Sequence, residues 1–258
     1  MNCKLPTNIK RILTIGDIHG CLEELKLLLE KADFNPTTDH LIQLGDMIDR
    51  GPYSAETIKF LRSNPSTSVI LGNHDFKLVK HKKRLLEGKP SYLKPDRQEI
   101  FDKLSEEEQM WLLVLPARIY YPELNMLFVH GGILPLENPL TQSFTCYIFG
   151  RYVLRASGAH KSLQPPLYTQ PNDTVHWTEI YNNDINIIYG HHVHDVEKPH
   201  FVQNSNSSWT FGIDTGCCFG GKLTMAIIDV ENPDQKPQII QVDSFQPKQE
   251  NPYRERKQ

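Results

Sequence analysis

Side chains that could bind metal ions stand immediately after three predicted strands. The apolar runs at residues 11–15, 40–44 and 68–71 are each followed by glycine and then by aspartate or asparagine. The three segments are Gly16-Asp17-Ile18-His19-Gly20, Gly45-Asp46-Met47-Ile48-Asp49-Arg50-Gly51 and Gly72-Asn73-His74-Asp75. In open α/β sheets, the loops at the carboxyl ends of the strands converge and bind ligands. The spacing therefore predicts one common site with oxygen and imidazole ligands.

Three later predicted strands end in a similar way. Their ends read Val129-His130-Gly131-Gly132, Tyr189-Gly190-His191-His192 and Ile213-Asp214-Thr215-Gly216. Taken singly, a Gly-Asp pair after a strand is usually a turn, and a histidine there is usually a hydrogen-bonded core residue. Glycine at such an end lets the backbone turn sharply and come close to a bound ion. The repetition of the combination favours a metal site over chance.

In this order, the segments resemble the signature of the phosphoprotein-phosphatase branch of the calcineurin-like metallophosphoesterases, over Ile12 to Leu223. The resemblance implies an α/β fold in which two β-sheets form a sandwich flanked by helices (α/β/β/α). It also implies two divalent metal ions. The implied ligands are Asp17 and His19 for one metal, Asn73, His130 and His191 for the other, and Asp46 as a bridge between both.

The ligand types narrow the choice of metal. Mixed imidazole and oxygen ligands without thiolates suit manganese, iron or zinc better than calcium or copper. We expect manganese, with iron, zinc, cobalt and magnesium as alternatives. Two such ions lower the pKa of a shared water, which gives a bridging hydroxide for in-line attack on phosphorus.

The resemblance also assigns catalytic roles. It implies that His74 protonates the leaving oxygen and that Asp49 hydrogen-bonds to His74 and keeps it charged. Arg50 is the implied phosphate clamp, because a guanidinium matches phosphate with a bidentate fork. Asn73 is placed near the substrate phosphate as well as near the metal.

A second phosphate-binding arginine is expected between the His-Gly-Gly and Gly-His segments. Arg151, within Phe149-Gly150-Arg151-Tyr152, is the best match. Arg155 lies one predicted helical turn away and stays open as the alternative. For both residues the simplest interpretation is a solvated helix face.

Two features favour one subgroup of the family, the symmetrical dinucleoside tetraphosphatases and their relatives. Asp75 stands where eukaryotic protein phosphatases have glutamate, and the segment at residues 213–224 resembles the subgroup's C-terminal strand pair. The implied activity is hydrolysis of phosphoanhydrides such as diadenosine tetraphosphate or polyphosphate. A serine/threonine or tyrosine protein phosphatase with the same two-metal mechanism is the alternative. The stretch Gly132 to Asn183 is predicted to carry the substrate-facing loops and therefore the specificity.

Composition limits the other possibilities. A net charge of −3 and a pI of about 6.4 give no general basic field for nucleic acid. We therefore expect a phosphorylated small molecule or a phosphoprotein as substrate, and neither a stable nucleic-acid complex nor a protein partner. No apolar run approaches the ~20 residues that span a bilayer, so no membrane association is expected. Five cysteines without metal-finger spacing, including buried Cys217 and Cys218, indicate a reducing, cytoplasmic compartment.

The elements that position these residues follow from periodicity. Helices are predicted at 21–33, at 54–62 with Ser54 as N-cap, at 105–114 with a Ser105–Glu108 capping box, and near 143–154. Further strands are predicted at 126–129, 185–189, 210–214, 223–229 and 238–242. Residues 1–245 are predicted to form a single catalytic domain, and 246–258 a polar tail.

Several other polar residues receive minor assignments. His192 and His194 are expected at the rim of the site, and His40, His81, His160, His176 and His200 are given no role. The basic run Lys77 to Arg84, on a predicted helix, is either a solvated face or a surface that attracts polyanions.

Overall fold

A computed structural model describes residues 4–155 and 173–249. Within these ranges the chain forms two five-stranded sheets and one two-stranded hairpin. The helices are α1 (Leu22–Lys31), α2 (Ser54–Ser63), α3 (Asp75–Leu86), α4 (Pro95–Asp102), α5 (Glu106–Leu113) and α6 (Phe144–Phe149). The strands are β1 (Arg11–Ile15), β2 (Asp39–Gln43), β3 (Thr67–Val69), β4 (Arg118–Tyr121), β5 (Met126–Val129), β6 (Tyr152–Leu154), β7 (Thr174–His176), β8 (Asn186–Tyr189), β9 (His200–Gln203), β10 (Trp209–Gly212), β11 (Lys222–Asp229) and β12 (Gln238–Asp243).

The first sheet has the order β12-β11-β1-β2-β3. Its β1, β2 and β3 run parallel, whereas β11 pairs antiparallel with both β1 and β12. Ile15 pairs with Gln43, and Gln43 pairs with Val69, so the three parallel strands end at nearly the same level. The three loops that carry the first sequence motifs therefore leave the sheet at one edge.

The second sheet has the order β4-β5-β8-β10-β9, with β5, β8 and β10 parallel. Val129 pairs with Tyr189, and Tyr189 pairs with Gly212. The segments that begin at His130, Gly190 and Ile213 consequently also start at one common edge. Register alone thus brings the three loops of this sheet to the same end of the strands.

Apolar packing joins the two sheets face to face. Ile12, Ile42 and Ala226 of the first sheet and Phe128 and Phe211 of the second belong to one buried cluster. Helices α1, α2, α3 and α5 pack on the outer face of the first sheet, while α6 and the β6–β7 hairpin pack on the outer face of the second. Strands covered on both faces are expected to be almost continuously apolar, as β1 and β5 are. The predicted α/β/β/α sandwich is confirmed.

The local predictions succeed where the signal lies in a few neighbouring residues. Ser105 and Glu108 form the predicted capping box, with Glu108 N donating to Ser105 Oγ at 3.3 Å and Ser105 N donating to Glu108 Oε2 at 2.7 Å. Ser54 is not an N-cap, because Tyr53 takes that position. The hydroxyl of Ser54 instead accepts a hydrogen bond from Asp49 N at 3.0 Å.

The predicted helix near 143–154 is wrong in its second half. Helix α6 ends at Phe149, because Gly150 adopts an extended conformation. Residues 152–154 then pair antiparallel with 174–176 as the β6–β7 hairpin. Strands β4, β6, β7 and β9 and helix α4 were not predicted; β6 and β7 have only three residues each, which is too short for a periodic pattern.

The tail begins in contact with the domain. Phe245 N donates to Glu24 Oε1 at 2.8 Å, and Gln249 N donates to Phe219 O at 2.9 Å. The division at residue 245 stays a prediction. Among the described residues, no helix combines the length and the apolarity needed to cross a bilayer.

Candidate active site

Asp46 lies between two groups of potential metal ligands. One group consists of His19, Asp46 and His74, the other of Asp46, His130 and His191, and in each group the candidate ligand atoms lie within 4.8 Å of one another. Asp46 Oδ2 is 3.5 Å from His19 Nε2, whereas Asp46 Oδ1 is 3.4 Å from His130 Nε2. Each oxygen of this carboxylate therefore faces a different imidazole, as a bridging ligand requires.

Asp17 and Asn73 lie next to the histidines of these two groups. Asp17 Oδ2 is 3.9 Å from His19 Nε2, and Asp17 Oδ1 accepts a hydrogen bond from His191 N at 2.9 Å. Asn73 Oδ1 is 3.0 Å from His130 Nε2. The structure thus brings together all six side chains that the sequence predicts as ligands, from both sheets.

The outer nitrogens of two imidazoles are hydrogen-bonded to the backbone. His19 Nδ1 lies 2.6 Å from Ile48 O, and His130 Nδ1 lies 2.8 Å from Leu44 O. A carbonyl oxygen can only accept, so Nδ1 carries the proton in each ring and Nε2 presents its lone pair toward Asp46. This is the arrangement that orients metal-bound histidines in proteins.

The charges of the site also fit divalent cations. Burial, together with the neighbouring Asp214 and Asp46, raises the pKa of Asp17 well above its usual value. Burial lowers the pKa of His19, of His130 and of His191, so the imidazoles favour their neutral form. A bound cation would relieve the repulsion between the crowded carboxylates and accept the lone pairs of the neutral imidazoles.

The backbone is strained where the ligands project. His19, Asp46, Asp49, Arg50 and His191 all have positive φ, between 49° and 72°. This left-handed conformation is uncommon for residues other than glycine and concentrates at functional sites.

Glycines leave room for the carboxylates. A Cβ at Gly72 would lie 2.2 Å from Asp46 Oδ1, and a Cβ at Gly190 would lie 2.3 Å from Asp17 Oδ1. Both glycines are therefore required by close approach of an aspartate.

Asp75 connects two of the ligand loops. Its carboxylate accepts hydrogen bonds from Asp46 N at 2.8 Å, Met47 N at 3.0 Å and Gly72 N at 3.1 Å. Burial and the neighbouring Asp46 raise the pKa of Asp75 to about 8, against the opposite effect of the three N–H donors. The sequence marks this residue only as a subgroup feature, whereas the structure shows that it holds the loop of Asp46 against Gly72.

His74 and Asp49 form a hydrogen-bonded pair beside the ligands. His74 Nδ1 bonds to Asp49 Oδ2, and His74 Nε2 lies 3.9 Å from Asp46 Oδ2. Burial tends to raise the pKa of Asp49, but the hydrogen bonds from His74 and Arg97 outweigh it and lower this pKa to about 2. Asp49 is therefore ionised at neutral pH and able to hold the imidazole in place.

Arg97 is a residue that the sequence does not reveal. Its Nε lies 2.9 Å from Asp49 Oδ2 and 3.1 Å from Asp49 Oδ1, and its Nη2 lies 2.5 Å from Asp49 Oδ2. It belongs to α4, which has no strong amphipathic pattern and no motif. Only the tertiary packing of α4 shows that Arg97 supports the Asp49–His74 pair.

We expect Arg97→Ala to lower kcat about 10-fold, as loss of an orienting partner does, with KM nearly unchanged. The reason is that Asp49 loses the bidentate contact that fixes its carboxylate against His74. Steady-state kinetics on aryl phosphates of differing leaving-group basicity will measure the loss of kcat. We expect the largest loss for the poorest leaving group, and partial recovery of kcat in Arg97→Lys. Arg62→Ala, which removes a surface ion pair with Glu107, is the control. A raised KM at constant kcat would show that Arg97 binds substrate instead.

The two predicted phosphate clamps converge on the ligands. Arg50 Nη1 is 2.5 Å from His19 Nε2, and the guanidinium lies 4.8 Å from the ring centroid of Phe219. Arg151 is buried, and its Nη2 lies 3.0 Å from both Nε2 and the carbonyl oxygen of His191. Arg155 is 69% exposed and pairs with Glu179. Between the two alternatives, the structure places Arg151 at the site and Arg155 outside it.

One minor prediction needs correction, and one stays a prediction. His192 and His194 pack with His176, and their place at the rim of the Asp46 site stays a prediction. In the basic run, Lys82 is only 8% exposed and contacts Glu106 at 2.7 Å, so it does not face a substrate groove. His160 lies outside the described residues.

The family model described as calcineurin-like phosphoesterase matches residues 10–228. The chain belongs to this family. The family predicted from the motifs is therefore confirmed, and membership makes the protein a hydrolase that uses divalent metal ions.

The similar proteins share one name. A symmetrical bis(5'-nucleosyl)-tetraphosphatase of Haemophilus influenzae (strain PittEE) is 28% identical, with 82% of this chain and 91% of the relative covered. One of Shewanella sediminis (strain HAW-EB3) is 27% identical, with 82% and 92% covered. Both names correspond to the predicted subgroup.

Solved structures agree on the fold. A crystal structure provisionally named diadenosine tetraphosphatase superposes with a TM-score of 0.71 at 22% identity, over 95% of this chain and 98% of that one. A metallophosphoesterase from Sphaerobacter thermophilus gives a TM-score of 0.56 at 18% identity, over 92% and 89%. At these identities the likeness establishes the fold alone.

Proposed function

We propose that the chain hydrolyses phosphoanhydrides of nucleotides or polyphosphate, such as diadenosine tetraphosphate, with two metal ions. The observation that carries the proposal is Asp46, whose two oxygens face His19 at 3.5 Å and His130 at 3.4 Å. Relatives named symmetrical bis(5'-nucleosyl)-tetraphosphatases, which align with 82% of the chain, support this substrate class.

Each ion has its own ligand set in this proposal. Asp17 and His19 would hold one ion, Asn73, His130 and His191 would hold the other, and Asp46 would be shared between them. Manganese is the proposed metal, with iron, zinc, cobalt and magnesium as alternatives, because oxygen and imidazole ligands suit these ions. When bound, the pair supplies Lewis-acid polarisation of the phosphoryl oxygens and a water of lowered pKa.

The remaining residues act on the substrate. His74, held at Nδ1 by Asp49, is placed to donate a proton from Nε2 to the leaving oxygen. Arg50 and Arg151 are proposed to bind the phosphoryl oxygens from two sides, with the Asn73 amide between them. Their guanidinium forks position the phosphorus and neutralise charge that develops as the bond breaks.

We expect Arg151→Ala to lower kcat/KM about 10–100-fold, since a charge-assisted hydrogen bond contributes roughly 1.5–3 kcal/mol. Arg155→Ala is the matched control, because Arg155 lies on the surface at the other end of β6 from Arg151. Its kcat/KM should stay within about twofold of the wild type, since an exposed ion pair contributes little. Initial rates on diadenosine tetraphosphate compare the two variants. A larger loss in Arg155→Ala would assign the clamp to Arg155, and equal losses would contradict a role for Arg151 alone.

Substrate profiling tests the proposal directly. Purified protein loaded with manganese is assayed on diadenosine tetraphosphate, polyphosphate, capped RNA and phosphopeptides. We expect the highest kcat/KM on a phosphoanhydride, and two molecules of ADP from diadenosine tetraphosphate rather than ATP and AMP. A clear preference for phosphoserine, phosphothreonine or phosphotyrosine peptides would replace this proposal with the protein-phosphatase alternative.

We also propose that the enzyme works in the cytoplasm on a phosphorylated small molecule, without a nucleic-acid partner. Four buried cysteines support a reducing compartment, because they form no disulfide in the described part of the chain: Cys21, Cys146, Cys217 and Cys218. The net charge of −3 supports the absence of a nucleic-acid complex.

A further inference from the structure

Four histidines form a cluster near the active site, and one of them, His192, directly follows His191 in the chain. His176 ends β7, His192 and His194 follow β8, and His200 begins β9. The ring centroids of His176 and His192 are 5.0 Å apart, those of His176 and His194 are 4.5 Å apart, and those of His192 and His194 are 4.4 Å apart. His200 stacks on His194 at 3.9 Å.

Three of these histidines have the geometry of a metal site. His176, His192 and His194 each offer a ring nitrogen, and the three nitrogens lie within 4.8 Å of one another. His176 is 5% exposed and His192 is 9% exposed. The Nε2 atom of His176 is buried and has no hydrogen-bond partner among the described residues. An unsatisfied buried polar atom costs about 1–3 kcal/mol, and a bound ligand would remove that cost.

Hydroxyl groups hold the outer nitrogens of two rings. His176 Nδ1 lies 2.8 Å from Thr178 Oγ1, and His194 Nε2 lies 3.0 Å from Tyr189 Oη. A hydroxyl oxygen can accept from a ring N–H, and this tautomer leaves the other nitrogen of the ring with its lone pair. At His176 the backbone N–H of Thr178 also donates to Nδ1 at 3.4 Å, so metal binding at Nε2 requires Nδ1 to donate to Thr178 Oγ1 instead. Metal-bound histidines usually donate their second nitrogen in this way.

The imidazoles of the cluster are available as neutral ligands. Burial and the neighbouring His194, His192 and His200 lower the pKa of His176 well below its usual value. Burial, His200 and Arg151 lower the pKa of His194 to about 3. Both imidazoles therefore favour their neutral form, although the nearby Arg151 charge opposes a cation. We expect weaker binding here than at the acidic Asp46 site.

We propose that His176, His192 and His194 form a third metal site, separate from the Asp46 site, which binds one transition-metal ion such as zinc or cobalt. Three nitrogen ligands without a carboxylate select these ions over magnesium, manganese or calcium. The ion would link β7 to the loop after His191. Trp177 N, directly after β7, donates to Arg151 O at 3.1 Å, so the same link would steady the segment that carries Arg151.

Counting bound metal tests the site. The full-length protein is stripped with a chelator and titrated with cobalt(II), and bound metal is measured by mass spectrometry and by the visible absorption of four-coordinate cobalt. We expect His176→Gln and His194→Gln each to bind about one equivalent less than the wild type. The matched control is His200→Gln, which removes a neighbouring ring of the same cluster and should keep the full number.

A variant without the Asp46 site tests the histidine site independently of the proposed function. In Asp17→Asn/Asp46→Asn protein we expect about one remaining equivalent of cobalt, lost on adding His194→Gln and kept on adding His200→Gln. That count does not depend on which phosphoanhydride the enzyme hydrolyses. If circular dichroism shows that His176→Gln does not fold, the His194→Gln variant tests the metal site by itself, because His194 is only half-buried. Equal metal content in the His194→Gln and His200→Gln proteins would overturn the proposal and show an ordinary packed histidine cluster.

Discussion

Replacing Asp46 with asparagine is expected to lower kcat at least about 10³-fold, since two-metal polarisation contributes several kcal/mol to the transition state. The change removes the charge that faces His19 on one side and His130 on the other, and with it the means of holding two cations close together. Metal content should fall with activity, from about two equivalents to one or fewer at this site. Steady-state kinetics with excess manganese and metal analysis of the same preparation measure both effects.

Asp39→Asn provides the matched control for this prediction. Asp39 is also a buried carboxylate, and it stands at the start of β2, whereas Asp46 follows the end of that strand. It pairs with Arg11 at 2.6 Å instead of with the predicted metal ligands. It should lose stability without losing bound metal or turnover per folded molecule. Near-normal turnover in Asp46→Asn with both metals still bound would contradict the bridging role.

The second large effect is expected for His74→Asn. General acid catalysis contributes about 10²–10⁴-fold, and asparagine can hydrogen-bond to Asp49 but has no proton to give to a leaving group. We expect kcat to fall within that range for leaving groups of high basicity and much less for activated aryl phosphates. A plot of log kcat against leaving-group pKa should therefore be steeper for the variant than for the wild type.

His81→Asn is the control for His74, because His81 is a buried histidine on α3, the helix that directly follows His74, and is bonded to Ser91. It should leave the dependence on leaving group unchanged. If His74→Asn instead slows all substrates equally, His74 contributes to metal binding or to the position of Asp46, not to proton transfer. Metal analysis of the variant distinguishes these two possibilities.

The convergence of the six predicted ligands could be predicted from the sequence because each signal is local. A buried strand, a glycine and a polar residue are neighbours in the chain, as at Gly16-Asp17 or Gly190-His191. Parallel pairing then brings the strand ends to one edge without further information. The pairing of Ile15 with Gln43 and of Val129 with Tyr189 is the register that does so.

Arg97 and the histidine cluster could not be predicted in this way. Arg97 contacts Asp49, which lies 48 residues earlier in the sequence, and no motif marks the short helix α4 that carries Arg97. His176 is positioned by the antiparallel pairing of two three-residue strands, β6 and β7, which no sequence pattern indicates. The polar residues that support a site depend on tertiary contacts, and those contacts leave no periodic pattern in the sequence.

The position of β1 has a consequence for how the enzyme folds during its synthesis. This strand is central in its sheet, with β2 on one side and β11 on the other, and the bond from His191 N to Asp17 joins positions 174 residues apart. Contacts so distant in sequence make folding slow. A nascent chain still lacking β11 would leave one edge of β1 open to aggregation. Synthesis must therefore pass residue 229, the end of β11, before this sheet is complete and catalysis can begin.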